Sequence, residues 1–301
     1  MYSKILVPLD GSPIAENSLP FARALARGLQ VPVELLYVID LAEIERNVSV
    51  TQGQFLDTLA DDESRRRREY LSAIAKSFSG APVHYKIGKG DAASVIIESA
   101  AAEKDTLVCM ATHGRSGLNR WLLGSVAEKV LRGTSNPLLL IRASEGASTD
   151  GEKKLEAVIV PLDGSSLAEQ VLPRVGELAK KLDLEVILFR AYTIPYGVYD
   201  VGASYAVDLE RLSADIEAEV QQYLEEKRNA LGKAGVEKVS YASKEGLSAD
   251  EIIKYGRKNP NKIIAMCSHG RSGVKRWVLG SVAETVVRHS DDPVLIVRAT
   301  A

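Results

Sequence analysis

Two stretches of this sequence repeat glycines and polar residues in a pattern that could bind an anion. The first reads THGRSGLNRWLLGSVAEKV and the second reads SHGRSGVKRWVLGSVAETV. Nine residues separate Gly114 from Gly124 in the first copy and Gly270 from Gly280 in the second. Glycine lets the backbone approach a ligand closely, and the free N–H groups at the start of a helix attract anions. The spacing therefore predicts that each copy is a phosphate-binding loop that runs into a helix.

A serine follows the last glycine of each loop, and its role has two interpretations. Ser125 and Ser281 could each donate a hydrogen bond to a phosphate oxygen from the first turn of the helix. The letters SVAE also fit a capping box, in which Ser125 pairs with Glu128 and Ser281 with Glu284. Capping explains the serines but not the spacing of the glycines, so phosphate binding is the favoured interpretation.

The acidic residue of the stretch PLDGS occurs once in each copy, as Asp10 and Asp163. A carboxylate in such a turn can accept hydrogen bonds from the N–H groups of its own turn. Alternatively, it can accept a hydrogen bond from a ribose hydroxyl, as acidic residues do in other nucleotide-binding folds. The residues alone leave both interpretations open. Ser12 and Ser165 are predicted to cap the helices that follow.

A histidine and an arginine begin each loop, His113 with Arg115 and His269 with Arg271. Neither histidine has a cysteine or a carboxylate at metal-ligand spacing, so the sequence does not predict a zinc site. The arginines could bind phosphate oxygens or could simply lie exposed on the surface. The run of arginines at 65–68 follows DDES and is predicted to be a solvated, ion-paired helix face.

These residues need elements to position them, and each copy alternates apolar runs with amphipathic segments. In the first copy KILVPLD, VPVELLYVI, APVHYKI, DTLVCMAT and NPLLLIR are typical of buried strands. Helical periodicity occurs in AENSLPFARALARGL, DDESRRRREYLSAIAKSF, DAASVIIESAAAE and SVAEKVLRG. This alternation predicts an α/β fold with a doubly wound parallel sheet of five strands in each copy. Ligands bind such sheets beyond the carboxyl ends of the strands, where PLDGS and HGRSG are both expected.

The similarity of the two copies extends over the whole chain. KILVPLDGSPIAENSLPFARALA near the start recurs as AVIVPLDGSSLAEQVLPRVGELA in the second half. A repeat at half of the chain length predicts a duplicated domain, with a first domain at 1–143, a linker at 144–156 and a second domain at 157–301. The linker region is rich in Gly, Ser and charge, which predicts a flexible segment. The apolar runs NPLLLIR and DPVLIVR are predicted to pair the two domains as an intrachain pseudo-dimer.

The composition excludes several classes of protein. Of the 301 residues, 46% are hydrophobic and 26% are charged, and the formal net charge is −2. These values are typical of a globular protein and provide no basic surface for nucleic acid or for an anionic membrane. No apolar run reaches the roughly 18 residues of a membrane span, and the start shows no signal-peptide pattern, so a cytoplasmic protein is expected. Cys109 and Cys267 lie in different halves and predict neither a disulfide framework nor a zinc site.

The stretches VPLDGS, HGRSG and LLGSVAE resemble the universal stress protein family, and the resemblance covers both copies nearly from end to end. Nucleotide-binding members of that family carry a glycine, two residues, a second glycine, nine residues, a third glycine and then Ser or Thr. The resemblance implies a Rossmann-like fold, similar to that of the adenine nucleotide alpha hydrolases, with units paired through their last strands. It implies ATP or another adenine nucleotide as the ligand, with or without Mg²⁺, and it leaves room for a further homodimer.

The resemblance also implies which residues hold the nucleotide. Asp10 and Asp163 would meet the adenosine, the backbone near Val38 would read adenine, and the glycine–serine turns would hold the phosphates. The candidate nucleotide-binding residues are Pro8, Asp10, Val38, Ala111, His113, Gly114, Arg115, Gly124, Ser125 and Val126 in the first copy, and Pro161, Asp163, Ala191, Cys267, His269, Gly270, Arg271, Gly280, Ser281 and Val282 in the second.

Both copies depart from the family pattern at its first glycine. Ala111 takes that place in the first copy and Cys267 in the second, where the thiol would crowd a ribose. At the end of the second strand YVID becomes RAYT, so that Ala191 stands opposite Val38. The first copy is therefore expected to bind nucleotide more tightly than the second.

Three functions are compatible with these residues. The favoured one is a regulatory ATP-binding protein of the stress response, with one cleft per domain and an action through nucleotide-dependent conformation or partner binding. The second is a stress-related scaffold that binds no nucleotide. The third is a slow ATPase or an adenylyl-transferring enzyme, which would need a positioned base and metal support for the phosphates. No catalytic residue and no metal ligand is predicted.

Overall fold

Parallel strands form the centre of the structure, and the helices that follow them cover the sheets. The structure is a computed structural model that describes residues 2–40, 56–112, 123–142, 146, 148–194, 206–259, 261–270 and 279–299. The chain divides into two compact units, Met1–Lys154 and Leu155–Ala301. No helix in these described ranges is both long and apolar enough to cross a membrane.

The first unit contains a parallel sheet in the order β3-β2-β1-β4-β5. Its strands are β1 (Ile5–Leu9), β2 (Val33–Ile39), β3 (Val83–Lys89), β4 (Leu107–Ala111) and β5 (Leu138–Ile141). Its helices are a 3-10 helix (Ala15–Ser18), α1 (Leu19–Leu29), α2 (Leu56–Ala75), α3 (Ala92–Ala101) and α4 (Ser125–Gly133). The strand order reverses between β1 and β4, which makes the carboxyl ends of these two strands the switch point of the sheet.

The second unit repeats this arrangement in the order β10-β9-β6-β7-β8, again with parallel pairing. Its strands are β6 (Ala157–Pro161), β7 (Glu185–Tyr192), β8 (Val239–Glu245), β9 (Lys262–Cys267) and β10 (Val294–Val297). Its helices are α5 (Ser166–Glu169), α6 (Leu172–Leu182), α7 (Ala206–Lys233), α8 (Ser248–Arg257) and α9 (Ser281–His289). The prediction of two tandem doubly wound α/β units with five strands each is therefore confirmed.

The composition of the strands explains why both faces of each sheet are covered. Every residue of β1 (ILVPL), β4 (LVCMA) and β6 (AVIVP) is buried. Such near-continuous apolar strands are stable only between two layers of helices. The edge strand β3 reads VHYKIGK and exposes most of its polar residues. Cys109 and Cys267 are both buried free thiols.

The segment that follows β5 is attached to the first unit. The Arg23 guanidinium of α1 donates from Nη1 to the backbone carbonyls of Thr149 (2.7 Å) and Gly151 (2.8 Å). The backbone N–H of Lys153 donates to a carbonyl in the first turn of α1 (3.0 Å). This region is predicted to be a flexible linker, and in its described part a buried arginine donates hydrogen bonds to two backbone carbonyls.

Candidate functional site

The candidate residues of the second unit lie at the carboxyl ends of three adjacent strands. Cys267 ends β9, Asp163 follows β6, and Ala191 lies near the end of β7. These strands are neighbours in the order β9-β6-β7, so their ends are spaced by about 4.8 Å per step. The matching strands β4, β1 and β2 of the first unit are neighbours in the same way.

A cavity of about 550 Å³ opens at these strand ends in the second unit. This volume is within the range of small-molecule sites. The cavity brings together every candidate residue of the second copy that the structure describes: Pro161, Asp163, Ala191, Cys267, His269, Gly270, Gly280, Ser281 and Val282. Arg271 lies outside the described residues.

Other residues line the same cavity and were missed by the sequence analysis. Arg190 and Tyr192 belong to β7, and Glu219 and Val220 belong to α7. Helical periodicity in the matching segment of the first copy, DDESRRRREYLSAIAKSF, predicted a helix at this place. It did not reveal which turn of that long helix lies over the strand ends, because all turns of an amphipathic helix look alike in a periodic pattern.

The two aspartates have the same geometry. Oδ1 of Asp10 accepts from the N–H (2.9 Å) and the hydroxyl (2.6 Å) of Ser12, and Oδ1 of Asp163 accepts from the same groups of Ser165 at the same distances. The hydroxyls of Ser12 and Ser165 in turn accept from backbone N–H groups three residues ahead, at 3.1 and 3.2 Å. Each carboxylate therefore orders its own turn through one oxygen, and a carboxylate has further acceptor capacity.

Gly270 lies directly against the carboxylate of Asp163. A Cβ atom added at Gly270 would overlap Oδ2 of Asp163. The β6 turn and the loop after β9 therefore meet at this point, and a side chain at residue 270 would force the carboxylate of Asp163 to move. The first motif glycine of the family is replaced nearby by Cys267, whose side chain lines the same cavity.

The helix α9 begins at the edge of this cavity, and α4 begins at the matching position of the first unit. Gly124 and Gly280 are the N-caps, with φ −60° and ψ 149° in the first and φ −61° and ψ 144° in the second. Ser125 and Ser281 are therefore the first helical residues, and both are exposed. The first N–H groups of a helix have no partner within the helix and attract anions.

The capping-box interpretation of SVAE is wrong. A capping box needs the serine at the N-cap, where glycine stands instead. Glu128 and Glu284 lie close to arginines one turn later, with Oε1 at 3.0 Å from Nη2 of Arg132 and of Arg288. The glycine of each turn also closes its loop, since Gly280 N–H donates to the carbonyl oxygen of residue 268 (2.8 Å).

The histidine and the cysteine of the second cavity are both buried. His269 is 5% exposed, and its Nδ1 lies 3.1 Å from the hydroxyl of Ser268. Burial raises the pKa of the Cys267 thiol to about 12, the charge of Asp163 adds to the rise, and a hydrogen bond with the backbone of Val171 opposes it. A thiol with this pKa stays protonated at neutral pH and is a poor nucleophile. Within the described residues, no group of three or more His, Cys, Asp or Glu could hold a metal ion.

In the first unit the structure places part of the candidate set. Pro8 lies in β1, Val38 in β2 and Ala111 at the end of β4, and α4 begins at Ser125 with Gly124 before it and Val126 after it. These positions are the same as those of their counterparts in the second unit. His113, Gly114 and Arg115 lie outside the described residues, so the expected proximity of Asp10 and Gly114 is not among the described contacts.

A stacked tyrosine and arginine lie beside each set of strand ends, with the tyrosine on the strand in the first unit and the arginine on the strand in the second. In the first unit the guanidinium of Arg67, on α2, lies 4.8 Å from the ring centroid of Tyr37, on β2. In the second unit the guanidinium of Arg190, on β7, lies 4.9 Å from the ring centroid of Tyr223, on α7. The cation is therefore on the helix in one unit and on the strand in the other.

A second contact fixes the register of the helices that carry these residues. The hydroxyl of Tyr70, on α2, donates to Glu16 (2.8 Å), and that of Tyr223 donates to Glu169 (2.9 Å). Burial, with the carboxylate as a further cause, raises the pKa of both tyrosines. Both helices therefore pack in the same register, so Tyr223 is the counterpart of Tyr70, and Val220 takes the place of Arg67.

Comparison with known proteins gives the same family for both halves. The Universal stress protein family matches residues 1–142 and 154–298. A universal stress protein of Methanocaldococcus jannaschii is 29% identical over 142 residues, which are 47% of this chain and 83% of that protein. One from Mycolicibacterium smegmatis is 22% identical over 303 residues, with 98% of this chain and 96% of that protein covered.

A solved structure extends the likeness to the fold of the whole chain. The crystal structure of a universal stress protein from Archaeoglobus fulgidus superposes with a TM-score of 0.69 at 22% identity, and the match covers 98% of each chain. Because the family match spans both halves with little left over, the chain belongs to the universal stress protein family.

Proposed function

We propose that this chain is a cytoplasmic regulatory protein of the stress response that binds one nucleotide in each unit. The ligand of the first unit is ATP, with or without Mg²⁺, and that of the second is a purine nucleotide. The observation that supports this most directly is the cavity of the second unit, which is lined by nine of the ten candidate residues of that copy. The protein acts through nucleotide-dependent conformation or partner binding.

Each part of the nucleotide has a counterpart among the lining residues. The free N–H groups at the start of α9 suit the phosphates, and the exposed hydroxyl of Ser281 can add a hydrogen bond. The carboxylate of Asp163, at the neighbouring strand end, suits a ribose hydroxyl, because a carboxylate accepts hydrogen bonds and Asp163 is held in place by the N–H of Ser165. The backbone near Ala191, one strand further, is left for the base.

The division of the chain is part of the same proposal. The first domain comprises 1–143, the linker 144–156 and the second domain 157–301. The units pair through their apolar last strands, β5 (LLLI) and β10 (VLIV). A homodimer of the whole chain is a further possible assembly. No nucleic acid and no membrane belongs to this function.

Nucleotide extraction tests the proposal directly. The purified protein is denatured, and any released small molecule is identified by chromatography and mass spectrometry. A co-purifying purine nucleotide, or saturable binding of ATP to the nucleotide-free protein, is the expected result. If the folded protein neither retains nor binds any purine nucleotide, the scaffold function replaces the proposed one. ATP turnover far above that of buffer would instead favour the enzyme.

A further inference from the structure

Arg190 is a buried cation in the wall of the second cavity. The residue is 9% exposed, and it lines the cavity next to Ala191 at the end of β7. Its guanidinium stacks on the ring of Tyr223 at 4.9 Å from the centroid. Stacking leaves the edge of the guanidinium plane, which carries five N–H donors, available for hydrogen bonds.

The stacked arginine of the first unit uses its donors within the protein, whereas Arg190 does not. Nε of Arg67 donates to Oε1 of Glu63 at 2.7 Å, and the two side chains form an ion pair along α2. Among the residues that the structure describes, none accepts a hydrogen bond from Arg190 or forms an ion pair with it. A buried charge without hydrogen bonds is costly, so this guanidinium is suited to a ligand that supplies the acceptors.

The position of Arg190 in the sheet indicates which part of a nucleotide it would meet. The start of α9 follows β9, Asp163 follows β6, and Arg190 lies on β7, with β9, β6 and β7 adjacent in that order. Two strand spacings place the β7 end about 10 Å from the β9 end. This step rests on the proposed function: with phosphates at α9 and ribose at Asp163, the base reaches β7 beside Arg190.

We infer that Arg190 makes the second cavity selective for nucleotides of a 6-oxopurine, such as guanine, over adenine nucleotides. The fork of an arginine matches the two adjacent acceptors of guanine, O6 and N7, and forms a bidentate pair with them. Adenine presents an N6 amino donor in place of O6, and two donors repel each other. Tyr37 occupies the equivalent strand position of the first unit, so the first unit lacks this selectivity.

Hydrogen exchange with GTP and ATP tests this inference on the intact chain. Peptides from 186–194 and from α9 report the second unit, and peptides from α4 report the first, so the two sites are titrated separately. In the wild-type protein, we expect GTP to protect the second-unit peptides at a concentration about 5- to 150-fold lower than ATP. The first-unit peptides should show no preference for GTP.

Two substitutions of Arg190 distinguish the effect of its bidentate geometry from the effect of its positive charge. Arg190→Lys keeps a positive charge but loses the bidentate geometry, and Arg190→Tyr introduces the residue of the first unit. Both should abolish most of the preference for GTP in the second unit, with folding checked by circular dichroism. Arg228→Lys is the matched control, because Arg228 also lies over a tyrosine, Tyr241, at 5.6 Å but does not line the cavity.

The outcomes distinguish this inference from the proposed function. If ATP protects the wild-type second unit as well as GTP does, the inference fails while nucleotide binding stands. If Arg190→Lys leaves the preference for GTP unchanged, the bidentate fork is not its source and the inference fails. If neither nucleotide protects either unit, the proposed function fails, and the inference fails with it. The inference is supported if Arg190→Lys and Arg190→Tyr both remove the preference for GTP and Arg228→Lys retains it.

Discussion

At the scale of single residues, one carboxyl distinguishes the matching turns before β5 and β10. In the first unit Asn136 donates from Nδ2 to a backbone carbonyl at 3.5 Å. In the second unit Asp292 takes this place, and its Oδ2 is buried with no hydrogen-bond partner among the described residues. Burial and the charge of Asp291 raise the pKa of Asp292 to about 6, although Arg257 and Lys262 oppose the rise.

The raised pKa makes the stability of the second unit depend on pH. Because the pKa of Asp292 in the folded state, about 6, lies above its ordinary value of 3.8, folding favours the protonated form. That stabilisation is complete below about pH 4 and is lost as the pH rises through about 6. At pH 7.5 Asp292→Asn should raise the free energy of unfolding by about 1–3 kcal/mol, since it removes a buried acceptor without a partner.

Urea unfolding of Asp292→Asn and the wild type at pH 7.5 and pH 5 measures this effect. The difference between the two proteins should shrink at the lower pH. Asn136→Asp is the reciprocal variant and should destabilise the first unit at pH 7.5. A difference between Asp292→Asn and wild type that is the same at both pH values would contradict the assignment.

A second prediction at this scale concerns the contact between Gly270 and Asp163. Gly270→Ala places a methyl group where Oδ2 of Asp163 lies, so the carboxylate must move. We expect nucleotide affinity in the second unit to fall by at least about 10-fold, because the proposed ribose acceptor is displaced. Hydrogen exchange of the α9 peptides during titration measures the affinity.

Gly232→Ala is the control for the glycine substitution. No atom lies within 4 Å of the position of an added Cβ at Gly232, which is near the end of α7. Alanine there should stabilise the helix by up to about 1 kcal/mol and leave binding unchanged. If Gly270→Ala binds nucleotide as tightly as Gly232→Ala, the turn of Asp163 does not hold the ligand.

At the scale of elements, the proposed phosphate sites are the starts of α4 and α9. Replacing the N-cap glycine Gly280 with valine would not test phosphate binding cleanly. A Cβ atom there would lie 3.2 Å from the carbonyl oxygen of Ser268, so the substitution would also disturb the loop. Ser281→Glu and Ser125→Glu are better variants, since both serines are exposed and an acidic residue in the first turn stabilises a helix. Each should weaken nucleotide binding in its own unit by at least about 10-fold, because the new charge repels the phosphates.

Ser281→Gln and Ser125→Gln are the controls, because glutamine has nearly the shape of glutamate but no charge. They should weaken nucleotide binding less than the Glu variants. Tryptophan emission is a convenient signal, because the chain has two tryptophans, Trp121 and Trp277, one in each loop. Equal affinity of the Glu and Gln variants, with helix content intact, would exclude phosphates at these helix starts.

The elements were predictable from the sequence, while the wall of the cavity was not. Strands such as ILVPL and LVCMA are continuous apolar runs that alternate with amphipathic segments, and this alternation indicates a sheet covered on both faces. Arg190 lies within β7, and the sequence of this strand does not reveal that its side chain lines a cavity. That role becomes visible only with its stacking on Tyr223. Ser125 satisfies the sequence rule for a capping box, yet the chain turns one residue earlier, at Gly124. Contacts between distant residues decide these details.

At the scale of the whole molecule, Arg23 holds the segment that leads to the second unit. Its guanidinium binds the carbonyls of Thr149 and Gly151 and also donates to Ser77 Oγ at 2.8 Å from Nη2. Arg23→Gln should release this segment and speed tryptic cleavage there several-fold, because protease attack requires local unfolding. Arg27→Gln is the control, since Arg27 is exposed and only its ion pair with Glu152 (2.8 Å) is lost. Equal cleavage rates of both variants and the wild type would contradict this role.

The last prediction concerns the tether, the short segment of chain that connects the two units. The N–H of Lys153 is hydrogen-bonded within the first unit and that of Glu156 to Asn261 of the second, so these two attachments are three residues apart in the chain. A short tether raises the effective concentration of one unit at the other, which favours pairing of the apolar strands β5 and β10. We expect a single rotational correlation time for the chain in NMR relaxation. An insertion of about ten Gly and Ser residues between 154 and 155 distinguishes pairing of the strands from the effect of a short connection. Such an insertion is a flexible coil and no longer holds the units together. If the strands pair, the inserted variant still tumbles as one body, whereas two shorter correlation times would show that the tether alone had joined the units.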